Sequence, residues 1–273
     1  MIRLEEMLPE CTHFEERGVF TKSEIGGFMA WRRKYEYSVA SRQAKLADYI
    51  SYIEHEIDIE CKRRARFEEL KIKNSNNRDY TIIQRIHSLF NRCLAKYSSD
   101  VTVWQRYIDF CVQSGSSKQL TRALMRAIKR HPRNAKFRIM SANCELQQGS
   151  LISARKLLMR AVRSKTDDRC LIWQQLFKLE CAGIHRAVTG TSVAGNTESS
   201  SIEESNKELA PIPSCQPAIV VFKHGIRDLA DIGKSEDFLE YAREATSALE
   251  MSVLGYTQPA HLDELLSIVK SNL

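Results

Sequence analysis

Residues 104–127 read WQRYIDFCVQSGSSKQLTRALMRA, and their spacing decides the fold. With Trp104 as origin, Tyr107 lies at +3, Phe110 at +6 and Gly115 at +11, after which Arg122, Arg126 and Ala127 fall at +18, +22 and +23. Bulky residues three apart have the period of a helix, and a glycine past the last of them allows the chain to reverse. The stretch therefore reads as an antiparallel helix pair. The pattern recurs from Arg138, where Phe137 supplies the bulk, with Glu145 at +7, Gly149 at +11, Arg155 at +17, Arg160 at +22 and Ala161 at +23. A third start at Trp173 puts Leu179 at +6, Glu180 at +7 and Gly183 at +10, so successive starts are 34 and 35 residues apart. An earlier copy opens at Tyr49, with Tyr52 at +3 and Glu56 at +7; its second half, residues 85–94, follows an insert of about twenty residues.

Local signals agree with helix pairs. Asp100, Asn134, Ser150 and Ser235 stand where an N-cap would accept orphan amide hydrogens. Ser116-x-x-Gln119 and Thr21-x-x-Glu24 have the form of capping boxes. Ala127, Ala161 and Gly225 place a small residue where two second helices approach. A single pair cannot bury its aromatic face but stacked neighbours can, so the expected architecture is an all-α solenoid. Its repeat core is Tyr49, Tyr52, Trp104, Tyr107, Phe110, Ala127, Ala161 and Trp173.

Composition excludes most alternatives. Gly and Pro together make only 17 of 273 residues, and Pro132 is the one proline between Glu10 and Ala210. All-β folds need turn residues every ~8–12 positions, which this chain lacks. The longest apolar run, 218–222, is far short of the ~20 residues of a membrane span. The N-terminus carries Glu5 and Glu6 where a signal peptide would be apolar, so no secretory route is expected. Eight cysteines form no C-x-x-C pair and no N-x-S/T acceptor occurs; a reducing compartment with cysteine as a small buried residue is expected. Residues 187–217 change character, with Ser199-Ser200-Ser201, Glu203-Glu204 and three prolines, and read as a disordered insert. The organisation expected is thus an N-terminal helical segment (1–45), repeats (46–186), the insert (187–217) and a further helical, repeat-like region (218–273), in a chain that could lack further repeats.

At these residues a family resemblance emerges. The aromatic, the acid at +7 and the R-x-x-x-[RK]-A of the second helix resemble the half-a-tetratricopeptide (HAT) repeat of RNA-processing proteins. Residues 3–10 (RLEEMLPE), Gly18-Val19-Phe20-Thr21, Glu24-Ile25, Arg32-Arg33, Tyr35-Glu36-Tyr37 and Asp48 to Glu56 (DYISYIEHE) resemble the opening of the U-three small nucleolar RNA-associated protein six family. The resemblance implies a non-catalytic scaffold of the nucleolar small-subunit processome. Its partners would be WD-repeat proteins of the same subcomplex, with U-three snoRNA and pre-ribosomal RNA contacted directly or indirectly. It implies no cofactor, membrane or small-molecule substrate. The alternative is a direct RNA-binding HAT protein of a splicing or 3′-end cleavage complex. Three features depart from the family pattern: Cys111 replaces an acid, Gly26-Gly27 should loosen a helix, and the insert splits the third pair before its second helix resumes at Ala218.

Catalytic readings fail on the residues. His55-Glu56 begins like a zinc-protease helix, but Ile59 stands where a second histidine would be needed, and the pair reads as a solvated face. Phosphate-loop, nucleophile-elbow and dinucleotide motifs do not occur. Trp104 and Trp173 could stack on bases, but their fixed places in the repeat assign them to the core. Arg122, Arg126, Arg155 and Arg160 are expected to pack their stems and to pair with acids such as Glu145 or Glu180. Charge is the informative signal: Phe110 to Thr166 holds thirteen Lys or Arg and one acid, Glu145, a local net of +12 within a chain of net +7. Such a stripe suits RNA or an acidic partner. Lys129, Arg130, Arg133 and Lys136, around Pro132, are the candidate RNA or partner surface.

Overall fold

A computed structural model describes residues 7–71, 77–164, 166–189, 214–253 and 261–271, all in helices and short connections, with no β-strand among them. The chain divides into two compact units, residues 1–123 and 124–273, the boundary falling inside a helix. The described helices are consistent with the solenoid class expected from the sequence.

The first unit contains α1 (Leu8–Glu16), α2 (Lys22–Ala40), α3 (Leu46–Glu69), a 3-10 turn at Asn77–Tyr80, α4 (Thr81–Lys96), α5 (Val101–Gln113) and the start of α6 (Ser117–Arg130). Consecutive helices α1 to α5 pack on one another. The Thr21 capping box forms: the Thr21 amide donates to Glu24 Oε2 at 2.9 Å and the Glu24 amide to Thr21 Oγ1 at 3.3 Å. Helix α2 then runs unbroken through Gly26 and Gly27. The expected loosening does not occur, because each glycine costs only ~1 kcal/mol in a helix and the strong cap and the flanking turns hold it. Helix α3 runs on to Glu69, into the insert expected before residue 85, and the 3-10 turn at Asn77–Tyr80 leads into α4; residues 72–76 of that insert lie outside the described residues. Asp100 caps α5 by accepting from the Thr102 amide at 2.9 Å. Gly115 turns the chain at φ 67, a left-handed conformation that suits glycine. Ser116 Oγ lies 3.1 Å from His87 Nε2 and 2.9 Å from Ser114 Oγ. The core stacks Phe90 on Tyr107 at 4.9 Å between ring centroids, and Trp104 donates its indole hydrogen to Ser98 O at 2.9 Å.

The second unit contains the rest of α6, then α7 (Ala135–Gln147), α8 (Leu151–Arg163), α9 (Arg169–Thr189), α10 (Gln216–Ala230), α11 (Ser235–Val253) and α12 (Leu262–Ser271). Besides neighbours in sequence, α7 touches α9, α9 touches α11 and α10 touches α12. Contacts between alternate helices are what two-layer stacking of helix pairs produces. Asn134 and Ser150 cap α7 and α8 as expected. Helix α9 continues to Thr189 and α10 begins at Gln216, so the ends of the 187–217 segment are helical; residues 190–213 lie outside the described residues. Phe177, Phe222 and Phe238 form a ring cluster with centroids 5.9–6.2 Å apart. Gly225 lets α10 approach it: a Cβ there would lie 2.8 Å from Phe238 and 3.4 Å from Trp173. Among the described residues no helix is long and apolar enough to cross a membrane.

Candidate nucleic-acid interface

Lys129 and Arg130 end α6, Arg133 sits in the turn after Pro132, and Lys136 opens α7; all four are exposed. The reason is local. Leu120, Ala123, Leu124 and Ala127 are buried at three-to-four spacing, which turns Arg122, Arg126, Lys129 and Arg130 outward. Cations in a last helical turn also complement the carbonyl end of the dipole. Of the four, Arg133 has a carboxylate, its Nε lying 3.2 Å from Asp167 Oδ1, with both side chains largely exposed. The Asp167 amide donates to Arg133 O at 3.0 Å, tying this turn to the connection between α8 and α9. Arg138 joins the group: its Nε and Nη2 donate to Pro132 O at 3.2 and 2.9 Å.

Tyr49, Tyr52, Trp104, Tyr107, Phe110, Ala127, Ala161 and Trp173 are all buried. Trp173 donates to Asp228 Oδ2 at 2.9 Å. Arg155 chelates Glu180, with Nε and Nη2 each 2.6 Å from one carboxylate oxygen. Six cysteines are buried, and burial pushes the thiols of Cys93, Cys111 and Cys215 up to about 11 and that of Cys181 to about 12. Cys61 is exposed and Cys11 half-buried, so the uniform burial expected of cysteine does not hold.

A second correction concerns His55-Glu56. Glu56 is fully buried rather than solvated, accepting from Arg32 Nε at 2.7 Å and Arg32 Nη2 at 2.9 Å. Arg85 Nη1 lies 3.5 Å from it, and Arg32 and Arg85 both reach Glu10. One residue from each of α1, α2, α3 and α4 thus meets in a neutral two-arginine, two-carboxylate cluster. Burial pushes the Glu10 carboxyl up, but the guanidiniums of Arg85 and Arg32 prevail and hold it below the ordinary value. Glu36 and Arg92 pair beside it at 2.9 Å, and these two line a cleft of about 300 Å³ with Glu10, Arg85, Gln84 and Ser88. Asp79, also fully buried, takes His13 at 3.0 Å and Arg17 at 2.6 Å, a further tie between the end of α1 and the 3-10 turn that precedes α4. A signal for this was present. Glu56, Glu60 and Arg63 continue the stripe begun by Tyr49, Tyr52 and Ile53, so charged residues occupy core positions of α3.

Comparison with known proteins places the chain in context. Residues 4–85, the span holding the Glu10, Arg32, Glu56 and Arg85 cluster, match the sequence model of a family described as U3 small nucleolar RNA-associated protein 6. A Schizosaccharomyces pombe protein of that name is 28% identical over 201 residues, covering 73% of this chain and 41% of the relative. The Mus musculus homologue is 31% identical over 185 residues, 65% of this chain and 30% of the relative. The Dictyostelium discoideum homologue is 23% identical over 249 residues, 90% of this chain and 38% of the relative. The chain therefore spans well under half the length of these relatives.

Proposed function

We propose that this chain, related to the U3 small nucleolar RNA-associated protein 6 family through its N-terminal helices, is a non-catalytic scaffold in nucleolar maturation of small-subunit ribosomal RNA. Its helix pairs are HAT repeats, which hold WD-repeat proteins of the same processome subcomplex and associate with the U-three snoRNP. The observation that carries this is the match over residues 4–85, together with the relatives' shared name. The helix-pair period supports it, since stacked pairs offer long surfaces and no built catalytic constellation is needed.

A second reading, direct contact with RNA, is favoured by the exposed basic turn of Lys129, Arg130, Arg133 and Lys136. The two are separable. Reversing those four charges should weaken sedimentation with pre-ribosomal particles and recovery of U-three snoRNA with the tagged chain. Unchanged recovery of both would remove the basic turn from the function, and a chain that never recovers the snoRNA would remove the scaffold reading.

A further inference from the structure

Helices α7 and α8 form a hairpin that reverses at Gln148 and Gly149, Gly149 having φ 86. Residues equally far from the turn of a helical hairpin lie level with one another. Arg138 and Arg160 stand eleven positions before and eleven after Gly149. The same offsets about Gly115, in the preceding pair, select Trp104 and Arg126. An arginine has therefore taken the register of a buried indole, with Phe137 supplying the buried bulk beside it, and the offsets set Arg138 level with Arg160.

That arrangement is costly without a counter-charge. Arg138 is half-buried and tethered by its two bonds to Pro132 O, while Arg160 is exposed on α8. Among the described residues neither has a carboxylate at ion-pair distance, and Asp167, the acid of the adjoining connection, is taken by Arg133. Burial and the charge of Arg160 together push the Arg138 pKa below its ordinary value, as expected for two like charges held close. The Nε–Nη2 edge of Arg138 serves Pro132 O, so a phosphate would take its Nη1 together with the planar fork of Arg160, which suits a phosphate oxygen pair. Lys156 and Arg163 lie four residues before and three after Arg160, so the cations continue along one face of α8. A line of charge suits a polyanionic backbone better than a lone carboxylate.

We propose that Arg138 and Arg160 together clamp one phosphate of an RNA strand, with the Pro132 turn as its rim. The inference deepens the direct-contact reading of the basic turn and names the residues that would position the strand.

The test uses the full chain and a fluorescein-labelled single-stranded oligouridylate, with Arg138→Gln, Arg160→Gln and the double variant. Each single substitution should weaken binding about tenfold, the scale of a charged hydrogen bond, and make the salt dependence shallower by about 0.7 in the log–log slope, the loss of one neutralised phosphate on a single strand. Because both arginines serve one phosphate, the double variant should lose no more slope than either single. Arg160→Gln should leave the melting temperature unchanged or raise it, since it relieves repulsion. Binding unaffected by both substitutions, or a lowered melting temperature with unaltered affinity, would overturn the clamp. So would equal binding of polyglutamate with the same dependence on both arginines, which would indicate an acidic protein segment instead. Recovery of processome proteins by these variants after ribonuclease treatment should be unchanged, so failure of the clamp is distinguishable from failure of the scaffold reading.

Discussion

Removing the charge of Glu56 should destabilise the first unit severely. Glu56 is fully buried and shared between Arg32, at 2.7 and 2.9 Å, and Arg85, at 3.5 Å. Glu56→Gln keeps the shape but leaves two buried guanidiniums with Glu10 alone. Breaking a buried ion pair by removing one partner costs ~3–5 kcal/mol, because the survivor stays desolvated and uncompensated. The retained amide oxygen can still accept from Arg32, which places the glutamine at the lower end and alanine at the upper. For a unit of this size ~1 kcal/mol corresponds to roughly 4 °C or more in melting temperature, so a fall of more than about 10 °C is expected for the glutamine. Urea unfolding followed by far-ultraviolet circular dichroism measures it. Replacing the pair jointly, Arg32→Met with Glu56→Leu, leaves Glu10 matched to Arg85 and should recover most of the loss, since apolar replacement of a buried pair is often neutral or better. A glutamine variant within ~0.5 kcal/mol of the parent, or a double variant as unstable as the sum of the singles, would refute the claim that this cluster holds α1 to α4 together.

Three further outcomes are expected. Trp104→Ala or Trp173→Ala should each cost ~3–5 kcal/mol as a large buried aromatic is lost, read by denaturant midpoint; a cost below ~0.5 kcal/mol would place the ring outside the core. Gly225→Ala should destabilise the second unit by ~1–2 kcal/mol net, as overpacking against Phe238 outweighs the better helix propensity, and Phe238→Leu in the same chain should relieve it. The first unit should lose stability in acid: Glu10, held below its unfolded value of 4.5, contributes above that pH and its contribution fades as pH drops through the lower folded value. Buried His87, whose burial depresses its pKa below the unfolded 6.5, acts in the same direction from a higher pH, because the unfolded chain takes up the proton first. A flat melting temperature between pH 7 and pH 4 would contradict the His87 assignment, and one that stays flat on further acidification below pH 4.5 would contradict that of Glu10.

The sequence made some elements plain and hid others for identifiable reasons. Caps at Thr21, Asp100, Asn134 and Ser150 and left-handed turns at Gly115 and Gly149 are written in short-range chemistry, so they were readable directly. Trp104 and Trp173 were assignable to the core because helical spacing repeats them. The Glu10, Arg32, Glu56 and Arg85 cluster was not, because its members come from four helices and charge by itself suggests solvent. Only the misplaced polarity on α3, with Glu56 and Arg63 on the stripe of Tyr52, hinted at burial. Gly26-Gly27 misled through the opposite error, a local propensity that tertiary packing and a strong cap override. The basic turn was legible as charge density, whereas the Arg138 and Arg160 pairing needed the hairpin register.

The most direct test of the scaffold is affinity purification of the tagged chain with and without ribonuclease. The account predicts that WD-repeat subunits of the small-subunit processome are recovered equally in both, while U-three snoRNA and pre-ribosomal RNA are lost on digestion. Recovery of no small-subunit processing factor in either condition would contradict it.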